Sequence, residues 1–209
     1  MNDSFNSIKL TGTVAAAPVY DHTLLGEAFY KLIVSTKRLS GAADELPITV
    51  SERLLGSPDE HPAEEGSRVS VSGQIRTYNQ HDDSGSHLII TVFAKDIEFP
   101  EDGEERRDEN EVELIGRICK PVIYRTTPFE REISDILLAV NRRYGKGDYL
   151  PCIAWGRNAR YSNELSVNDL LLIRGRLQSR IYQKALLDGS VEQRTAYEVS
   201  IFSFEKLDY

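Results

Sequence analysis

The chain has 209 residues, with 33 acidic against 25 basic side chains and a formal net charge of −8, which excludes a protein that coats nucleic acid by bulk positive charge. Two cysteines, Cys119 and Cys152, lack close-spaced partners, so neither a disulfide framework nor a zinc site is expected, and the compartment is a reducing one. No stretch approaches the ~18 apolar residues of a membrane span and no basic-then-apolar leader precedes the first strand pattern, so a soluble cytoplasmic protein is expected.

In chain order, one pattern is stated twice. Leu10-Thr-Gly-Thr-Val-Ala-Ala-Ala-Pro18 returns as Leu114-Ile-Gly-Arg-Ile-Cys-Lys-Pro121, and Leu46-Pro47-Ile-Thr-Val as Leu150-Pro151-Cys-Ile-Ala. Val69-Ser-Val-Ser-Gly73-Gln-Ile-Arg returns as Leu171-Leu-Ile-Arg-Gly175-Arg-Leu-Gln. The offsets, 114 − 10 = 104, 151 − 47 = 104 and 175 − 73 = 102, drift by two residues over the repeat. A period of this length is that of an independent domain and not of a solenoid unit, so residues 5–99 and 111–207 are two tandem domains.

Charge is divided unevenly between them. Residues 1–99 hold eight Lys/Arg and fourteen Asp/Glu, whereas residues 111–209 hold fifteen and thirteen. The segment between, residues 100–110, is charged almost throughout and without apolar periodicity, which reads as an acidic, solvated linker.

Each copy alternates Gly, Pro and Asp-Ser clusters with short runs rich in Val, Ile, Leu and Tyr, the pattern of an all-β domain. In the second copy the expected strands are residues 111–120, 133–144, 149–156, 170–183 and 195–205. Five strands suit a small closed barrel. Residues 157–165, between the third and fourth strands, read as one or two helical turns; the first copy has residues 52–65 there, with a shorter helix because of Pro58 and Pro62.

The fourth strand of the second copy alternates most sharply. Ile173, Gly175, Leu177, Ser179 and Ile181 fall on one face, and Arg174, Arg176, Gln178, Arg180 and Tyr182 on the other. A solvated barrel exterior accounts for the arginines but not for the aromatic that ends the row. On the third strand Tyr149, Pro151, Ile153 and Trp155 share the outer face, with Leu150, Cys152 and Ala154 inside. A lone Trp is more often core than platform; its neighbourhood of arginines turns the reading toward a ligand. Rings beside cations are what a single nucleic-acid strand requires, with bases stacked on the rings and phosphates followed by the basic side chains.

No catalytic groups converge and no motif calls for a cofactor or metal, so an enzyme is not expected. His81-Asp-Asp-Ser-Gly-Ser-His87 falls where the repeat places a hairpin tip, and Gly145-Lys-Gly-Asp148 lacks the strand-to-helix context of a phosphate loop and fits a turn.

The second copy resembles the bacterial single-stranded DNA-binding protein family, built on the OB-fold. The resemblance is carried by Val112-Glu-Leu-Ile-Gly-Arg-Ile-Cys-Lys-Pro121, Asp135-Ile-Leu-Leu-Ala-Val-Asn-Arg-Arg-Tyr144 and Tyr149-Leu-Pro-Cys-Ile-Ala-Trp-Gly156, then by Leu172-Ile-Arg-Gly-Arg-Leu-Gln-Ser-Arg-Ile-Tyr182 and Thr195-Ala-Tyr-Glu-Val-Ser-Ile201. It implies two tandem five-stranded OB-fold barrels, each with a short helix between strands 3 and 4. It also implies sequence-tolerant single-stranded DNA binding in replication, recombination or repair, in a nucleoid-associated setting. The base-stacking aromatics it implies are Tyr144, Tyr149, Trp155 and Tyr182; Tyr144 requires the strand to end or bulge near Asn141. The basic contacts it implies are Arg117, Arg142, Arg143, Arg157, Arg174, Arg176, Arg180 and Lys184.

At the matched places the first copy has Leu39, Glu45, Ser51 and Gln80, so it is expected to serve structure or assembly. A homodimer forming a pseudo-tetramer of barrels is the expected assembly. Family members usually end in an acidic tail that recruits replication and repair proteins; here the sequence stops at Phe204-Glu-Lys-Leu-Asp-Tyr209, so a role as recruiting hub is not expected. The alternative function is an OB-fold adaptor of a primosome-like assembly that binds mainly protein.

Overall fold

A computed structural model describes residues 4–56, 63–82, 85–100, 107–142, 145–185 and 189–208. The first copy forms β1 (Phe5–Leu24), β2 (Glu27–Lys37), β3 (Ala43–Ser51), α1 (Glu52–Leu55), β4 (Arg68–Asp82) and β5 (Gly85–Glu98). The second forms β6 (Glu109–Ile118), β7 (Ile123–Thr126), β8 (Glu132–Asn141), β9 (Gly147–Trp155), α2 (Arg157–Ser162), β10 (Leu170–Ala185) and β11 (Val191–Lys206).

Each copy closes into the expected five-stranded barrel. In the first, β1 pairs with both β2 and β4, β2 with β3, and β3 runs parallel to β5, which pairs with β4. In the second, β6 pairs with β10 and β8, β8 with β9, and β9 runs parallel to β11, which pairs with β10. Alternate positions of these strands supply the core, including Leu10, Leu32, Ile48 and Ile75 in the first barrel and Leu114, Leu138, Leu150 and Ile173 in the second. The repeated glycines that anchored the alignment have a shared cause. Gly73 and Gly175 sit at register shifts in β4 and β10, where an added methyl would land on the carbonyl oxygens of Phe93 and Ser200, so only glycine lets the strands cross at the barrel corner.

The helices fall where expected. α2 is six residues long and buries Ala159 and Ser162, whereas α1 has four residues and buries none. Of the expected 52–65 segment, residues 57–62 lie outside the described residues. Among the described residues no helix is long and apolar enough to cross a membrane.

The structure departs from expectation in three places. β7 was not anticipated: β1 absorbs Pro18 at a shift of register between Ala16 and Val19, but the second copy breaks around Pro121 and resumes as β7, paired to β8. Ile181, expected to point into the core, is 64% exposed, because β10 and β11 run on beyond the barrel as a two-stranded arm paired as far as Ala185↔Val191. The expected linker, residues 100–110, gives up Glu109 and Asn110 to β6, and Asp108 already accepts hydrogen bonds from the Lys37 N–H and from Arg68.

The barrels join through β1 and β6, which pair antiparallel from Phe5↔Ile115 to Thr11↔Glu109. Ile8 faces Val112, its own counterpart in the repeat (8 + 104 = 112). A pseudo-twofold axis therefore passes between them and merges both barrels into one continuous eleven-stranded sheet among the described residues.

Reciprocal side-chain contacts follow that axis. Asn6 bonds both ways with the Ile75 backbone, as does Asn110 with that of Leu177. Across the seam, Arg38 and Asp44 of the first barrel grip β10: Asp44 accepts from the Ser179 N–H at 2.8 Å, and Arg38 donates to the Ser179 carbonyl at 3.2 Å. In the mirrored position Arg142 and Asp148 of the second barrel grip β4. Asp148 accepts from the Thr77 N–H at 2.6 Å, and Arg142 donates to the Thr77 carbonyl at 2.9 Å.

Candidate nucleic-acid interface

The sheet of β9, β10 and β11 presents one outer face, and strand parity decides what stands on it. Along β9 the outward set is Tyr149, Pro151, Ile153 and Trp155: Tyr149 is 50% and Trp155 40% exposed, while Ile153 is buried beneath its neighbours. Leu150, Cys152 and Ala154 point inward, as expected. Burial of Cys152 drives its thiol far above the ordinary range, with the Glu198 charge adding to the effect, which suits packing and not chemistry.

On β10 the outward set is Arg174, Arg176, Gln178, Arg180 and Tyr182. Gln178 is buried, donating to Glu198 at 2.8 Å. Arg180 lies over the Tyr182 ring at 5.8 Å, and Tyr182 is 36% exposed on the projecting arm. Between β9 and β10 lies an open cleft of ≈ 630 Å³, with Ile153 and Trp155 along one side. Five arginines line it, Arg38, Arg125, Arg131, Arg176 and Arg180, against two carboxylates, Asp135 and Glu198.

These charges are not equally free. Arg125 is bonded to Asp135 at 2.9 Å, and that bond raises its pKa. Arg180 is 3.9 Å from Glu198. Arg176 lies over the Phe202 ring at 5.9 Å from its centroid and makes a 3.5 Å contact with Gln178, while its Nε is buried without a hydrogen-bond partner. Its pKa is lowered first by burial and then by the Arg38 charge, with Asp44 opposing. A cleft in which cations outnumber anions favours a polyanion, and the exposed indole at its side adds a stacking surface.

Placement of the remaining expected residues is mixed. Arg157 begins α2 with its guanidinium 5.4 Å from the Tyr161 ring centroid. Lys184 is on the β10–β11 arm. Arg174 is bonded to Glu113 at 2.7 Å and lines a different depression, with Phe5, Lys9 and Phe202. Arg117 projects from β6 and donates to the Asn168 carbonyl. Arg142 is taken up by Asp148 and Thr77 at the seam with the first barrel. β8 ends at Asn141, as the reading of Tyr144 required, but Tyr144 and Arg143 lie outside the described residues.

Sequence reasoning missed three cleft arginines. Arg125 lies in β7 and Arg131 ends the turn into β8, a hairpin whose pairing was not foreseen. Arg125 stands where the first copy has Asp21, and its partner Asp135 where the first copy has Lys31; this exchange of charges at fixed spacing was a readable signal. Arg38 comes from the other barrel. Its signal was the spacing Arg38…Asp44, repeated as Arg142…Asp148 while the aromatics around it diverged. Among the described residues no group of three or more His, Cys, Asp and Glu side chains converges to hold a metal.

Comparison with known proteins bears on the second barrel and on the fold. Residues 109–207 match the Single-strand binding protein family. Single-stranded DNA-binding protein 1 of Staphylococcus aureus is 38% identical over 81 residues, a match covering 35% of this chain and 48% of that protein; the chain thus spans about half the length of that curated relative. The single-stranded DNA-binding protein of Thermus aquaticus is 29% identical over 202 residues, covering 85% of this chain and 76% of the other. The crystal structure of that wild-type protein superposes with a TM-score of 0.79 at 23% identity, over 99% of this chain and 94% of that one, which establishes the shared tandem-barrel fold.

Proposed function

This chain belongs to the single-strand binding protein family in its tandem OB-fold form, and from that premise we propose that it binds single-stranded DNA without sequence preference, on the outer face of its second barrel. The observation that carries this reading is the cleft in which Trp155 stands among five arginines. Bases would stack on Trp155, Tyr149 and Tyr182, each contributing about 1–3 kcal/mol. Phosphates would be followed by Arg176, Arg180 and Arg131, with Arg157 and Lys184 at either end of the path. Such binding serves the exposed strands of replication, recombination and repair. No step of bond making or breaking is involved, since the chemistry is stacking and ion pairing.

The barrels divide the work. At the matched places the first has Glu45, Ser51 and Gln80 where the second has Tyr149, Trp155 and Tyr182, so the stacking rings are missing at those positions, although Tyr78 stays exposed on β4. We assign it to assembly, with two chains building a pseudo-tetramer of four barrels. Sedimentation equilibrium is expected to give about twice the 23.6 kDa chain mass; a monomer at micromolar concentration would overturn that assembly.

The test of binding is a titration of Trp155 fluorescence with oligo-dT and with an equal-length duplex. The single strand alone is expected to quench, with log Kobs falling against log salt at a slope of about −0.7 per phosphate neutralised. Equal response to the duplex, or none to either, would overturn the reading, and the second result would bring the protein-binding adaptor forward.

A further inference from the structure

The cleft on the second barrel is not built from the second barrel alone. Arg38, which ends the β2–β3 side of the first barrel, is among its lining residues, and its guanidinium is fixed before any ligand arrives. Nε donates to Asp44 at 2.7 Å, and Nη2 donates both to Asp44 and to the Ser179 carbonyl. Asp44 is in turn held by the Ser179 N–H at 2.8 Å and hydroxyl at 3.2 Å. Its side chain is nearly fully buried, whereas that of Arg38 remains 23% exposed. Nη1 of Arg38 has no hydrogen bond among the described residues.

Beside it stands Arg176, whose buried Nε also lacks a partner. A buried donor without an acceptor is rare in folded proteins and calls for an explanation. Two guanidiniums facing one cleft repel each other, in keeping with the lowered pKa of Arg176. The repulsion is relieved by one anion that accepts from the accessible nitrogens of the two groups together, and the geometry of a guanidinium fork matches a phosphate oxyanion. The first barrel has no equivalent seat: the counterpart of Arg176 there is Gln74 (176 − 102 = 74), and Arg142, the counterpart of Arg38, is joined at Asp148 by Arg76.

We infer that the first barrel completes the nucleic-acid site of the second, with Arg38 and Arg176 forming a two-guanidinium seat for one backbone phosphate at the seam. This rests on the single-strand binding proposed above and extends it. The barrel that lacks the matched stacking rings is a working part of the site, and the strand is held at a point that exists only while both barrels keep their register.

The test compares Arg38→Gln with Arg142→Gln in the full chain. Both break one arm of the seam, but only the first removes a cleft residue. Arg38→Gln is expected to weaken oligo-dT binding about 5- to 10-fold and to make the log–log salt slope shallower by about 0.7, the share of one phosphate. Arg142→Gln is expected to stay within about 2-fold with the slope unchanged, since no phosphate contact is lost. Arg38→Lys, which keeps the charge, is expected to keep the slope; it also serves if Arg38→Gln does not fold. An unchanged slope in Arg38→Gln, or equal losses in the Gln variants, would overturn the seat while leaving single-strand binding intact. A wild-type chain that does not bind oligo-dT would overturn both.

Discussion

Asp148→Ala is expected to lower the unfolding free energy by about 3–5 kcal/mol, the usual cost of removing one partner from a buried ion pair. The Asp148 side chain is fully buried and does four things at once. It accepts from Arg142 Nε at 2.7 Å and again from Arg142 Nη2, from Arg76 Nη1 at 3.0 Å, and from the Thr77 N–H at 2.6 Å. Its loss leaves two mostly covered guanidiniums side by side without a counter-ion, and a buried backbone donor without an acceptor. Asp44 serves only one arginine by ion pairing, so Asp44→Ala should cost less. Urea unfolding followed by circular dichroism measures both; a loss under about 1 kcal/mol for Asp148→Ala, the scale of an exposed pair, would show that the seam does not depend on this carboxylate.

Trp155→Ala is expected to weaken oligo-dT binding by about 1–3 kcal/mol, roughly 5- to 150-fold, while the unfolding curve stays close to that of the parent. The two halves of this expectation have separate causes. Stability is spared because Leu150, Cys152 and Ala154 carry the packed face of β9, whereas the indole stands 40% exposed on the other. Affinity is lost because the ring is the largest aromatic surface along the cleft. Trp155→Phe should retain most of the affinity. Unaltered binding by Trp155→Ala would remove the ring from the interface, and a matching loss of stability would show that it packs the core.

Much of this was legible in the residues, for reasons that also mark the limit. The repeat of Leu-x-Gly, Leu-Pro and the corner glycines announced two equivalent barrels, because each of those residues answers a local demand of strand, edge or corner. Period-two alternation placed Ile173, Leu177, Trp155 and Tyr149 correctly, because one face of β9 and β10 is packed and the other is not. The same rule failed at Ile181, where the strand continues and the barrel does not. Parity reports which side a residue faces, not whether anything lies there. Arg142 illustrates the other limit. It was grouped with the DNA contacts by resemblance, yet its partners are Asp148, six residues along the chain, and Thr77, sixty-five residues back in the other barrel. No periodicity reports a bond between two domains; only the recurrence of the Arg–Asp spacing hinted that a shared structural demand stood behind it.

The pairing of Ile8 with Val112 carries a consequence for how such a chain varies and behaves on dilution. A joint of this kind between separate subunits would loosen as the protein is diluted, and any substitution would strike both halves together. Joined in one chain, the halves meet at an effective concentration set by their tether, about millimolar for short connections, so the joint persists at any working concentration. Each half is also free to change without imposing that change on the other. Rings at Tyr149, Trp155 and Tyr182 in one barrel, against Glu45, Ser51 and Gln80 at the matched places of the other, are an asymmetry that a symmetric dimer of identical subunits cannot encode.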